Sequence, residues 1–72
     1  MSDLKLEKKH IADIKIVGKC EGHTVSLLKT FGGLNVIAMM KNGEPEILAF
    51  GSHPAIAKYQ AEKNSKAKIE WI

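Results

Sequence analysis

A segment that is apolar on both of its sides, residues 34–41, constrains the fold of this chain more than any other feature. Within it, Asn35 is the one polar residue before Lys41 at its end. Gly32-Gly33 precedes the segment and Asn42-Gly43 follows it, and both pairs are typical of tight hairpin turns. The segment is therefore predicted to be a central strand of an antiparallel sheet that is covered on both faces.

Further strands are predicted from alternation of apolar and polar residues. Residues 11–17 place Ala12, Ile14 and Ile16 on one face, and a connection over residues 18–22 leads to the next strand. Pro45 is expected to start the strand after Asn42-Gly43, at a position where a missing N–H is tolerated. The first four predicted strands are 11–17, 23–31, 34–41 and 46–50.

A single helix is predicted to begin at Ser52, which would be its N-cap, and to stop at Asn64-Ser65. Residues 67–71 alternate again and predict a last strand. The helical segment is long enough for a crossover, so this strand could run parallel to the fourth. The expected fold is α+β, in the order β-β-β-β-α-β, with the helix on one face of the sheet. Residues 11–72 form its one small domain, after a poorly ordered lead-in over residues 1–10.

Composition excludes several classes of protein. The chain has 72 residues, the size of one small domain, and its 44% hydrophobic content is too high for intrinsic disorder. No apolar run reaches the roughly 18 residues that a membrane-spanning helix needs. Cys20 is the single cysteine, which favours a reducing compartment over a disulfide-bonded secreted scaffold. We expect a cytoplasmic domain without a secretion signal or a membrane partner.

One helix can cover only one face of the predicted sheet, so the second face is expected to present apolar side chains. A patch of this kind usually marks an interaction site, either with a second copy in a homodimer or with another protein. In the alternative, Leu4 and Leu6, or the loop around Cys20, fold back over that face. From the fourth strand, either Leu48 and Phe50 or Ile47 and Ala49 would contribute. The predicted interaction residues are Leu28, Ile37, Met39, Leu48 and Phe50.

Residues that could carry chemistry are few. Cys20 and His23 have the spacing of two zinc ligands or of a thiolate and its base, but the sequence offers no second ligand pair and no orienting group. The simpler interpretation is a loop thiol and a histidine at the start of a strand. No catalytic constellation, metal site, cofactor motif or small-molecule substrate is indicated, and the chain is not expected to be an enzyme.

Gly51, Ser52 and His53 lie where a strand leads into the helix. Backbone N–H groups at a helix N-terminus attract anions, so this segment is a candidate anion site. It lacks the longer glycine patterns of phosphate-binding loops, and capping of the helix by Ser52 is the favoured interpretation.

An alternative function is weak, sequence-nonspecific binding of single-stranded nucleic acid. The net charge is +3, and all eleven basic residues are lysines. Lysine supplies attraction to phosphate without the planar fork of arginine, and so favours nonspecific contacts. The sheet face would add stacking surface. The candidate contacts lie near the two ends of the chain and are Lys5, Lys8, Lys9, Lys66 and Lys68.

Overall fold

The computed structural model describes residues 10–72, which form one five-stranded antiparallel sheet and one helix. The strands are β1 (Ile11–Cys20), β2 (His23–Thr30), β3 (Asn35–Lys41), β4 (Glu44–Gly51) and β5 (Glu70–Trp71), and the helix is α1 (Pro54–Asn64). The α+β class, the four-strand meander, the single helix and the final strand are thereby confirmed. The predicted lead-in over residues 1–10 lies outside the described residues, apart from His10.

Two of the hairpins close through two-residue turns. Asn42 and Gly43 have φ values of 53° and 82°, and Glu21 and Gly22 have φ values of 51° and 81°. Positive φ at both central residues is the mark of the type I′ turn that matches strand twist. The hairpin predicted at Asn42-Gly43 is confirmed, and Glu21-Gly22 is a shorter connection than the sequence indicated.

The predicted two-residue turn at Gly32-Gly33 is wrong. Residues 31–34 connect β2 to β3, and of the two glycines only Gly33 has a positive φ, of 89°. A type I′ turn needs positive φ at both central positions, so this wider loop is not a type I′ turn. The hydroxyl of Thr30 accepts a hydrogen bond from the N–H of Leu34 at 3.0 Å.

β1 continues past its predicted end at residue 17 because a β-bulge changes its register. Ile16 pairs with Ser26 and Gly18 with Val25, so Val17 is the extra residue. The bulge places Val17 in the core on the helix side, although its neighbour Ile16 is exposed. A strict alternation through residues 11–20 would put Val17 and Cys20 on opposite faces, whereas both are buried in the helix-side core.

β5 runs in the same direction as β4 but lies at the opposite edge of the sheet, where it pairs antiparallel with β1. It contains two residues, fewer than the predicted strand over 67–71. The contact depends on Gly18, because a Cβ at that position would lie 2.5 Å from the carbonyl oxygen of Glu70. Backbone atoms can approach this closely only where no side chain intervenes.

α1 begins at Pro54, and its N-cap residue is His53, one residue after the predicted N-cap. Ser52 is not the N-cap, because the chain is still extended at His53 (φ −135°, ψ 150°) and no side chain caps the first turn. The predicted stop at Asn64-Ser65 is confirmed. Two fully buried alanines, Ala57 and Ala61, let the helix pack closely on β3 and β4.

The main core lies between α1, the segment that follows it, and one face of the sheet. Its buried members come from all four long strands, from the helix and from the chain before β5. They are Val17, Cys20, Val25, Ile37, Met39, Ala49, Ala57, Ala61 and Ile69. A second, smaller cluster lies on the other face of the sheet, and its buried members are Leu28, Val36 and Ala38.

Candidate interaction surface

The sheet face opposite α1 carries a continuous set of apolar side chains, and we call it the open face. Strand register and the second cluster place its members on one side of the sheet. They are Ile11, Ile14, Ile16, Leu28, Val36, Ala38, Ile47 and Phe50. By the same register, Lys19 is the charged residue that β1–β4 direct to this side, and it stands near one end. The middle of the open face is therefore uncharged.

The open face has a buried centre and an exposed rim. Val36 and Ala38 in β3 are 2% and 0% exposed. At the two outer strands the exposed fraction is far larger, with 57% for both Ile14 and Ile16 in β1 and 54% for Phe50 in β4. Large apolar side chains grouped in this way on one face are typical of interaction surfaces.

The five residues predicted for the interaction face do not lie together. Leu28 and Phe50 belong to the open face, whereas Ile37, Met39 and Leu48 pack in the helix-side core. Leu28 and Ile37 lie on opposite faces because the register pairs Leu28 with Val36 and Leu27 with Ile37.

A β-bulge in β4 explains why neither predicted pair from this strand is correct. Ile37 pairs with Ala49 and Ala38 with Ile47, which makes Leu48 the extra residue. Leu48 and Ala49 consequently both pack toward the helix, while Ile47 and Phe50 belong to the open face. Asn64 at the end of α1 donates a hydrogen bond from Nδ2 to the carbonyl oxygen of Leu48 at 2.9 Å, which ties the bulge to the helix.

The outer edge of β1 is the part of the surface that sequence reasoning missed. β5 pairs with β1 only at Gly18 and Lys19, and the N–H of Ile72 extends this contact to the carbonyl oxygen of Val17 at 2.9 Å. Residues 11–16, apart from Ala12 at a bulge, pair with β2 on their inner side and, among the described residues, with no strand on their outer side. A strand edge of this kind offers backbone N–H and C=O groups to another strand.

The hydrogen bond made by the Ile14 amide shows which side of β1 its backbone groups face. Its N–H donates to Oδ1 of the neighbouring Asp13 at 3.0 Å, an exposed side-chain contact, although β2 lies directly opposite. Because N–H and C=O of one strand residue point to the same side, both groups of Ile14 face the open edge. The Asp13 carboxylate occupies the donor that a further strand would use.

The candidate anion site at Gly51, Ser52 and His53 is tightly packed. A Cβ at Gly51 would lie 2.9 Å from Cγ2 of Ile56, and Nδ2 of Asn35 donates to the carbonyl oxygen of Ser52 at 3.2 Å. Oδ1 of Asn35 is buried without a hydrogen-bond partner in residues 10–72. That atom is an acceptor, so it adds no donor to an anion site at this helix end.

Cys20 and His23 are cross-strand partners at the β1–β2 hairpin, so the structure brings this pair together. Cys20 is nevertheless buried in the helix-side core, in strand rather than loop. Its Sγ lies 3.8 Å from Oγ of Ser65 and 4.0 Å from the carbonyl oxygen of Ala67. The described hydrogen bonds include none between the thiol and His23. Cys20 also lines a cavity of about 470 Å³, beside the ion pair of Lys41 and Glu46 at 3.2 Å.

Of the lysines predicted to contact nucleic acid, the two in the described part of the chain lie in the segment between α1 and β5. Lys5, Lys8 and Lys9 lie outside the described residues, and Lys66 and Lys68 precede β5 at the helix-side core. Two other lysines are held over aromatic rings within the chain, at 5.5 Å for Lys58 over Trp71 and 5.0 Å for Lys63 over Tyr59. These rings are therefore engaged internally.

Residues 10–72 contain no helix with the length and apolar content needed to cross a membrane. In the same residues, no three His, Cys, Asp or Glu side chains are grouped closely enough to hold a metal ion. The chain matches no protein-family model, and comparisons with curated proteins and with solved structures found no similar protein. Its function is therefore inferred from the surface geometry alone.

Proposed function

We propose that this chain is a non-enzymatic interaction module of the cytoplasm that associates with a second copy of itself through the open face and its β1 border. The exposed rim carries the proposal. Ile14 and Ile16 are each 57% exposed and Phe50 is 54% exposed, on a face whose middle bears no charge. Burial of apolar surface contributes roughly 25 cal/mol per Å², so covering this rim would favour association.

The small size of the domain supports the same proposal. A domain of this length buries only about 60% of the surface that its unfolded chain exposes, and oligomerisation is a common source of added stability. The single cysteine leaves no internal disulfide to supply that stability. A lone thiol also suits a reducing compartment, which supports the cytoplasmic assignment.

The test is self-association of the full chain, measured by sedimentation equilibrium over a wide range of protein concentration. We expect a dimer, and Ile16→Lys should weaken it strongly. Phe50→Lys should weaken it as well if the β4 border of the open face is also part of the interface. Tyr59→Lys is the matched control, because Tyr59 is likewise 57% exposed but lies on α1. Circular dichroism of each variant confirms that the fold is retained.

Three outcomes would contradict the proposal. A wild-type chain that stays monomeric at millimolar concentration would exclude self-association. Equal weakening by Tyr59→Lys and Ile16→Lys would show that the open face has no special part in it. Salt-sensitive binding of single-stranded DNA or RNA by a chain that stays monomeric would favour the nucleic-acid alternative, since phosphate contacts weaken steeply with salt.

A further inference from the structure

We propose that the outer edge of β1 is a docking site for an extended segment, and that its occupant is residues 2–5 of the same chain, paired antiparallel with residues 13–16. The outward backbone groups of β1 and the charges along this edge carry the inference. It deepens the proposed function and rests on it in one respect, because the docked segment would lie at the β1 border of the proposed interface.

The free part of the edge has a defined length. β5 and the residue after it occupy the edge from Val17 onward, so an added strand can reach no further than Ile16. At the other end, Ala12 is the extra residue of a bulge, so regular pairing starts at Asp13. The docking site is therefore residues 13–16.

Backbone groups and side chains alternate within this site. The N–H and C=O of Ile14 face outward, and those of Ile16, two residues along the same strand, face the same way. The side chains of both isoleucines lie on the open face, whereas Asp13 and Lys15 are exposed on the helix side. A matching strand carries an acid opposite Lys15 and a base opposite Asp13, with an apolar residue between them.

Residues 2–5 have this pattern, as Ser-Asp-Leu-Lys. Antiparallel pairing of Leu4 with Ile14 brings an acid and a base together on each side of that pair. The two pairs of charged residues are Asp3 with Lys15 and Lys5 with Asp13. Both are pairs without mutual backbone hydrogen bonds, in which the facing side chains are closest. Opposite charges in such contacts stabilise a sheet.

Neighbouring registers fail on face or on charge. A shift of one residue would turn Leu4 away from the open face. A shift of two residues in one direction places Lys5 opposite Lys15. The same shift in the other direction places Asp3 opposite Asp13. Like charges directly opposite each other destabilise a sheet, so the register with Leu4 beside Ile14 is favoured.

The connection is long enough for the segment to reach β1 of its own chain. His10 is anchored where its carbonyl oxygen accepts a hydrogen bond from the N–H of Phe31 at 3.1 Å. In the proposed pairing Lys5 would lie roughly 11 Å from His10, given a strand spacing of about 4.8 Å and three residues along β1. The five steps from Lys5 to His10 can span up to about 17 Å. A short connection also gives the segment a high effective concentration at its own edge.

The docked segment would change the β1 border of the proposed interface. Leu4 would join Ile14 on the open face and enlarge its apolar area. The backbone of Ile14 and Ile16 would be paired within the chain and no longer offered to strands of other molecules. Self-association would then be directed to the open face and away from the edge.

Disulfide trapping in the full chain tests the register. Asp3→Cys/Lys15→Cys places two thiols at a facing pair, whose Cα atoms are about 4.5 Å apart and within disulfide range. Under mild oxidation we expect a disulfide within one chain, read by mass spectrometry of the intact monomer. Glu7→Cys/Lys15→Cys is the matched control, out of register by four residues, and should react about tenfold more slowly. The native Cys20 is 2% exposed and should not compete.

Amide hydrogen exchange tests the charges, at a protein concentration where sedimentation shows a monomer. The Ile14 and Ile16 amides should be protected in wild type. Lys15→Asp would face Asp3, and we expect it to lower both protection factors about fivefold or more. Asp3→Lys/Lys15→Asp restores opposite charges and should restore the protection. Lys68→Asp makes the same charge change at an exposed site before β5 and should leave both amides unchanged.

Several results would overturn this inference. They are equal oxidation rates for the two cysteine pairs, a disulfide that joins two chains, and a double charge variant that folds but stays unprotected. Self-association of a chain whose Ile14 and Ile16 amides exchange freely would overturn the docked segment and leave the proposed function intact. A strictly monomeric chain whose amides respond to the charge swaps would support the docked segment and exclude self-association.

Discussion

The two faces of the sheet differ at their margins rather than at their centre. In β3, the adjacent residues Val36 and Ile37 point to opposite faces, yet their exposed fractions are 2% and 0%. At the outer strands the faces diverge. On the helix side, Val17 in β1 is 6% exposed, whereas its neighbour Ile16 on the open face is 57% exposed.

This difference shows what a single helix and a short C-terminal segment can cover. α1 packs over β3 and β4, and Ile69 and Trp71 extend the cover to β1, so that the helix-side core reaches both edges. Within residues 10–72, the open face is shielded by neighbouring side chains of the sheet itself. Side-by-side contacts protect the middle of a sheet and leave its borders exposed, which is why the borders are the expected site of association.

The largest effect should come from a cavity in the helix-side core. Ile37→Ala removes a fully buried side chain and is expected to lower the free energy of unfolding by about 2–5 kcal/mol. Phe50→Ala, on the exposed border of the open face, should lower the free energy of unfolding by much less, because more than half of that residue is already exposed to solvent. Urea denaturation at low protein concentration measures both. Similar losses of unfolding free energy for the two variants would mean that the helix-side core and the border of the open face contribute equally to stability.

A smaller effect is expected where β5 closes the edge of β1. Gly18→Ala would bring a Cβ to 2.5 Å from the carbonyl oxygen of Glu70, so β5 must shift, at a cost of about 1–3 kcal/mol. Hydrogen exchange at the Ile72 amide, which bonds to Val17, should accelerate.

Gly32→Ala is the matched control for that prediction. A Cβ at Gly32 would lie 3.9 Å from its nearest neighbour, Oγ1 of Thr30, and the φ of Gly32 is not positive. We expect it to leave the stability almost unchanged. If Gly18→Ala were equally well tolerated, the close approach of β5 to β1 would be contradicted.

The smallest effect should come from the polar border of the helix side. Lys41 and Glu46 form an ion pair at 3.2 Å, but their side chains are 43% and 53% exposed. Exposed pairs contribute roughly 0–1 kcal/mol, so Lys41→Met should change the free energy of unfolding by less than about 0.5 kcal/mol. A loss above 1 kcal/mol, measured by thermal and urea denaturation, would show that this border is more than a solvated rim.

Local sequence signals predicted the elements of this fold well. Alternation and turn residues located all four long strands, and Asn42-Gly43 marked its turn because positive φ is easily adopted there. The end of α1 was also predicted. The predicted N-cap, Ser52, is one residue before the observed N-cap, His53, and the bond from Asn35 to the Ser52 carbonyl is a tertiary contact that no local pattern encodes.

The candidate site was predicted less well, because it depends on register. A bulge adds one residue to one strand and reverses the face of everything beyond it, as Val17 and Leu48 show. Ile37 and Met39 were expected beside Leu28 on the uncovered face, but β3 pairs Val36 with Leu28, so both are core residues on the helix side. The open edge of residues 11–16 could not be predicted, because it depends on the position of β5 across the sheet.

The sequence by itself determined that this chain builds a sheet with apolar residues on both faces and only one helix to cover them. That conclusion follows from counting, since the number of apolar faces exceeds the number of helices. Tertiary structure alone decided which side chains occupy each face and which strand edge has no partner within residues 10–72. Those features arise from bulges and from the placement of β5, which are set by packing over the whole domain rather than by neighbours along the chain.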